Sequence, residues 1–127
     1  MPRFFTLAEA EQTLQTIRPL VELVVGIYHE IMKDQPELWP AIQKSAGNGG
    51  NPVLSRLTKS FDRLDELLHK IRDTGAVMKD IGAGLVDFPA RRGDQEVYLC
   101  WKHGESGIAF WHEIEAGFAG RQPLSNF

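Results

Sequence analysis

GLVDFPARRGDQEVYLCW, residues 84–101, decides how this chain folds. On both sides of Gly93-Asp94 apolar and polar residues alternate, which is the period of a half-buried strand. A glycine standing first in a two-residue connection suits a type II′ turn. Pairing Arg92 with Gln95 then sets Ala90 against Val97, Phe88 against Leu99 and Val86 against Trp101, an apolar face. The opposite face pairs Arg91 with Glu96, Pro89 with Tyr98 and Asp87 with Cys100. A slip of one residue would scramble both faces, so the register is strongly specified. A further strand is expected over 108–112, after the turn at 103–107, and Phe4-Phe5 can add a short edge strand. The Gly- and Pro-rich tail, 117–124, reads as irregular.

Upstream the period changes to that of helices. Leu7, Ala10, Leu14, Ile17, Val21, Val24, Tyr28 and Ile31 recur at alternating spacings of three and four, as on a helix seam. Thr6 and Glu9 have the spacing of a capping box, with Phe5 and Ala10 at the staple positions. Pro19 interrupts the pattern, but the seam stays in phase across it, so one kinked helix over 7–33 is expected. A second seam runs through Leu54, Leu57, Phe61, Leu64, Leu68 and Ile71, with Asn51 as cap, Pro52 in the first turn and Gly75 as the stop. Between them, Pro36 can open a short helix and Gly47-Asn48-Gly49-Gly50 reads as an exposed loop, with Trp39 closing the end of the hairpin. The expected fold is α+β and a single domain over 1–127: an antiparallel helical hairpin (7–33 and 52–74) packed on a small antiparallel meander of two to four strands within 84–124. Leu20, Leu23, Val25 and Ile27 widen the first helix's stripe beyond a coiled-coil seam. The sheet, or a second copy of the chain in a homodimer, is expected to cover it.

Composition limits the function. The chain has 127 residues, 43% hydrophobic and 24% charged, enough for a core without metal or disulfide. A net charge of −3 lacks the basic footprint of nucleic-acid binding. The lone cysteine, Cys100, forms no internal disulfide. The opening residues lack the features of a signal peptide, and the apolar run over 20–32 is too short and too charged to span a bilayer. A cytoplasmic protein, away from membranes, is expected.

The block GLVDFPARRGDQEVYLCWKHGESGIAFWHEIEAGFAGRQPL, residues 84–124, resembles the signature of an uncharacterised bacterial family of small proteins, a domain of unknown function. FTLAEAEQTLQTIRPL, residues 5–20, resembles that family's N-terminal helix. The resemblance implies a cytoplasmic bacterial protein with helical and β parts. It brings no activity and no site residues.

Chemistry-bearing residues gather in the same block. Asp87, Glu105 and His112, with His103, Glu113 and Glu115 nearby, are candidate ligands for a divalent metal, although no HExxH or paired-cysteine spacing is present. The simpler reading, and the favoured one, is that these are polar groups on the exposed side of a hairpin. Cys100 faces Asp87 in the paired register, and a carboxylate neighbour raises a thiol's pKa, which argues against a nucleophilic thiolate. The segment 117–121 ends in Arg121 and can hold an anion through backbone N–H groups and the guanidinium, unless Arg121 pairs with an acid such as Glu115 or Asp87. Trp101, Phe110, Trp111 and Phe118 are core residues first and stacking platforms second. No complete catalytic constellation is present. The reading is a non-enzymatic binding module whose ligand meets Asp87, Arg91, Trp111, His112 and Arg121. The alternative is a metal-binding protein or small enzyme centred on His112, with Asp87 or Glu105 as partner and Arg121 as clamp.

Overall fold

The computed structural model describes residues 3–33 and 52–127. Helix α1 (Leu7–Lys33) runs unbroken through Pro19. Its N-terminus closes as the capping box requires: the Glu9 amide donates to Thr6 Oγ1 at 3.1 Å and the Thr6 amide to Glu9 Oε1 at 2.9 Å. The Thr6 hydrogen bonds hold the exposed Glu9 carboxyl below its ordinary pKa. Helix α2 (Pro52–Asp73) follows, and Gly75 turns the chain at φ 96°. Ile31, near the end of α1, and Leu57, near the start of α2, line one depression, the placement an antiparallel pair requires. The expected cap Asn51, the short helix from Pro36, Trp39 and the 47–50 loop lie outside the described residues.

The α1 seam is buried at Ala10, Leu14, Ile17, Val21, Val24 and Ile31, while Leu7 is exposed and Tyr28 half-buried. On α2 the buried line is Leu57, Leu64, Leu67 and Ile71. Phe61, expected on the seam, is exposed, and Leu67 takes a seam place instead. The 54-57-61-64-68-71 pattern describes a strip between two helices, whereas α2 must also turn its 68–72 side toward the sheet edge.

The sheet has five strands in the order β1 (Val77–Asp80), β2 (Leu85–Arg92), β3 (Gln95–Lys102), β4 (Phe110–Glu113) and β5 (Gln122–Pro123), every neighbour antiparallel. This is one strand more than the largest count expected, and the sheet begins before residue 84. β1 and β5 are too short to show a period. Phe5 gives one backbone bond to Pro89 O, at 2.7 Å, without forming a strand. The β2–β3 register is the expected one at every pair from Leu85–Lys102 to Arg92–Gln95. Gly93 has φ 64° and Asp94 a negative φ, which is the II′ rather than the I′ pattern.

Val86, Phe88, Ala90, Val97, Leu99, Trp101 and Trp111 form the inner face and join the helix seams in one core. Phe5 meets Phe88 edge-on at 5.3 Å. Truncating a ring so enclosed costs about 3–5 kcal/mol. Helix α1 also holds the loop before β4. Glu11 accepts from the Ile108 amide at 2.8 Å and Arg18 donates to Ser106 O at 2.8 Å. The sheet and this loop thus cover part of the wide α1 stripe, and Leu23 stays exposed.

Candidate functional site

The outer face of the sheet carries the expected polar residues; the structure buries Asp87, Cys100 and His112 there and leaves Arg91 and Glu96 exposed. Neighbours across antiparallel strands share a face, so Asp87, Cys100 and Phe110 form one row over β2, β3 and β4, with Pro89, Tyr98 and His112 in the next. The His112 ring therefore reaches diagonally over β3 to Asp87. Its Nε2 lies 3.1 Å and 3.2 Å from the two Asp87 carboxylate oxygens, with both side chains 2% exposed. The other ring nitrogen, Nδ1, donates to Glu113 O at 2.8 Å. Cys100 is fully buried beside them, and donor atoms of all three residues lie within 4.8 Å of one another. Burial, and then the Asp87 charge, push the Cys100 thiol up to about 12 against the opposing pull of Arg121.

The expected set of Asp87, Glu105 and His112 does not assemble. Glu105 belongs to a second cluster, where it accepts from Arg121 Nη1 at 2.9 Å, Arg121 Nη2 at 2.6 Å and the Lys102 amide at 2.7 Å. Arg121 takes Glu105 as its acid rather than Glu115 or Asp87, gives Nη2 also to Cys100 O, and lies over the Phe110 and Phe118 rings at 4.1 Å and 4.7 Å. Partial burial alone would raise the Glu105 pKa, but the Arg121 bonds and the Lys102 amide outweigh it, and the carboxyl ends below its ordinary value. Arg121 is correspondingly raised, again against its own burial. Its guanidinium is engaged on two sides.

The remaining candidates lie apart. Arg91 is exposed and stacks over Phe4 at 4.5 Å. Trp111 is a core residue, with Arg92 over one side and Phe127 edge-on at 5.6 Å. Glu113 and Glu115 are exposed, and His103 packs edge-on to Trp101.

A different feature is concave. Between α2 and β1 runs a cleft of about 450 Å³, lined by Asp65, Leu68, His69 and Arg72 from the helix and by Ala76, Val77, Met78 and Ile81 beside it. Periodicity gave no sign of this cleft, because β1 is short and half polar. The one available signal was Met78, an apolar residue that neither helix seam nor the hairpin needed.

A family model described as an uncharacterized conserved protein, DUF2203, matches residues 3–124. The chain belongs to that family. No curated protein and no solved structure matches it. The match extends over both the helical and the β parts of this DUF2203 chain, and the family's function is unknown. Among the described residues no helix is long and apolar enough to cross a membrane.

Proposed function

We propose that this protein is a non-enzymatic interaction module that takes an extended segment of a partner protein in the cleft between α2 and β1. What carries the reading is a separation. The Asp87, Cys100 and His112 cluster is sealed from substrate, whereas the apolar-lined cleft carries no Ser, Thr or Cys nucleophile. Its volume lies within the roughly 300–1,000 Å³ of ligand sites. β1 is an edge strand, so one side of its backbone has no strand partner in the sheet. The register irregularity between Met78 and Asp80, together with Lys79, blunts the far end of that edge against indiscriminate pairing. Leu68, Met78 and Ile81 suit an apolar anchor, and Arg72 and His69 suit a carboxylate beside it. The buried free thiol agrees with a cytoplasmic setting.

The test is selection from a displayed library of random linear peptides, followed by amide mapping on the intact protein. Enriched peptides should shift the amides of residues 65–72 and 76–78, and Met78→Asp should abolish binding. Failure to enrich any peptide, or shifts confined to other surfaces, overturns the reading.

A second reading rests on Leu23 and Met32 of α1 and Phe61 of α2, which leave large apolar side chains exposed on the hairpin. A homodimer through the hairpin would cover them. Sedimentation of the protein and of Phe61→Lys decides it: a wild-type dimer that the substitution converts to monomer supports this reading, and a monomeric wild type removes it.

A further inference from the structure

We propose that Asp87, Cys100 and His112 form a closed, structural site for a thiophilic divalent cation, zinc being the ion their donors fit. The first observation is convergence. A sulfur, an imidazole nitrogen and a carboxylate, each from a different strand, bring donor atoms within 4.8 Å of one another at three buried positions. This mixed S/N/O set matches borderline metals such as zinc, whereas magnesium and calcium demand oxygen.

The second observation is independent of the cluster count. A backbone carbonyl only accepts, so the contact to Glu113 O places the imidazole proton on Nδ1. In the neutral ring Nε2 then presents a lone pair, and it faces two carboxylate oxygens at 3.1 Å and 3.2 Å. Acceptors facing acceptors in a dry site repel, so a cation has to stand between them: a second proton or a metal. An Nδ1 proton held by a carbonyl, with Nε2 free, is the orientation that metal-bound histidines have.

The donor geometry accommodates the metal, and the charge balances with it. Ligands at ~2.0–2.2 Å from a tetrahedral centre stand ~3.3 Å apart, close to the Nε2–Oδ spacing already present. Both Asp87 oxygens face the histidine, so the carboxylate can supply two donors and complete four-coordination without water. That closes the site, as structural zinc sites are closed. A divalent ion with one carboxylate, one thiolate and a neutral imidazole sums to zero charge, which a buried site requires. The ion would join β2, β3 and β4 across the outer face of the sheet.

Protein made without a histidine tag is unfolded, stripped with chelator and refolded with zinc or cobalt. The expected result is one metal per chain, a thiolate-to-cobalt charge-transfer band, and a Tm that rises with zinc concentration. Cys100→Ala, a small change in a buried position, should abolish the band and weaken zinc binding at least tenfold. Asp87→Asn serves as the second variant should Cys100→Ala fail to fold, and it should weaken binding by a similar factor while keeping some thiolate band. Refolded wild type that holds no stoichiometric metal in excess zinc overturns the proposal. So does nitrogen-15 NMR showing His112 with protons on both ring nitrogens in the presence of zinc, since the cation would then be a proton only. A cobalt band unchanged in Cys100→Ala also overturns it.

Discussion

Arg121 grips Glu105 with both guanidinium Nη atoms, at 2.9 Å and 2.6 Å, and so ties the turn after β3 to the approach to β5. The pair has low exposure, 12% for Arg121 and 27% for Glu105. Its partners on either side, Phe110 and Phe118, fix the guanidinium plane. Arg121→Gln removes the charge and leaves the carboxylate with the Lys102 amide alone. The expected loss at neutral pH is about 2 kcal/mol by urea denaturation. Because Glu105 is held below its ordinary value of 4.5, its contribution is present above that value and fades as pH falls through the lowered folded pKa. The gap between wild type and Arg121→Gln should therefore narrow on acidification. A gap that is constant or widens toward acid would show that the pair is not its source.

The Cys100 thiol should be inert in the folded protein. It is fully buried and pushed up to about 12, first by burial and then by Asp87. Labelling with a maleimide should then wait on unfolding and run at least ~1,000-fold slower than in the denatured chain. Mass spectrometry of timed samples measures this directly, and rapid native labelling would contradict the burial.

Two glycines with nearly the same φ should respond differently to alanine. Gly84 has φ 68°, and a Cβ there would meet His103 Cβ at 2.5 Å and Val25 Cγ2 at 2.9 Å. Gly93 has φ 64° and open space around it. Gly84→Ala combines left-handed strain with overpacking between α1 and β2, for a loss of about 2–4 kcal/mol. Gly93→Ala carries the strain alone, about 1–2 kcal/mol. Equal losses in chemical denaturation would mean that the close approach of α1 to Gly84 contributes nothing.

Legibility followed the length of each pattern. The β2–β3 register could be read because eight consecutive pairs agree with one alternation and Gly93 fixes the turn. The Thr6–Glu9 box could be read because capping is local chemistry. β1 and β5, with four and two residues, were too short to carry a period. Phe61 and Leu67 exchanged places because a seam describes one contact, while α2 makes two. For the site, alternation put Asp87 and Cys100 on the face away from the helices but says nothing about what lies over that face. Cys100 has no second thiol in the chain, so no paired-cysteine spacing marks it as a ligand. Its partners, Asp87 opposite and His112 on the diagonal, follow from two strand registers taken together, and only the first was available from the turn.

The bond from Ile108 N to Glu11, at 2.8 Å, has a consequence for how the protein is made. Helix α1 leaves the ribosome before α2 and can meet it as soon as that follows, yet Ile108, the partner of Glu11, emerges almost a hundred residues after Glu11. For most of that interval, until β2 and β3 follow, the sheet-facing flank of α1 has no sheet, and Gly84, which Val25 will press against, is still to come. Completing this fold is therefore a docking event rather than the addition of one more independent element. A chain stalled or truncated before β2 would present the apolar underside of its own hairpin to the cell's quality control.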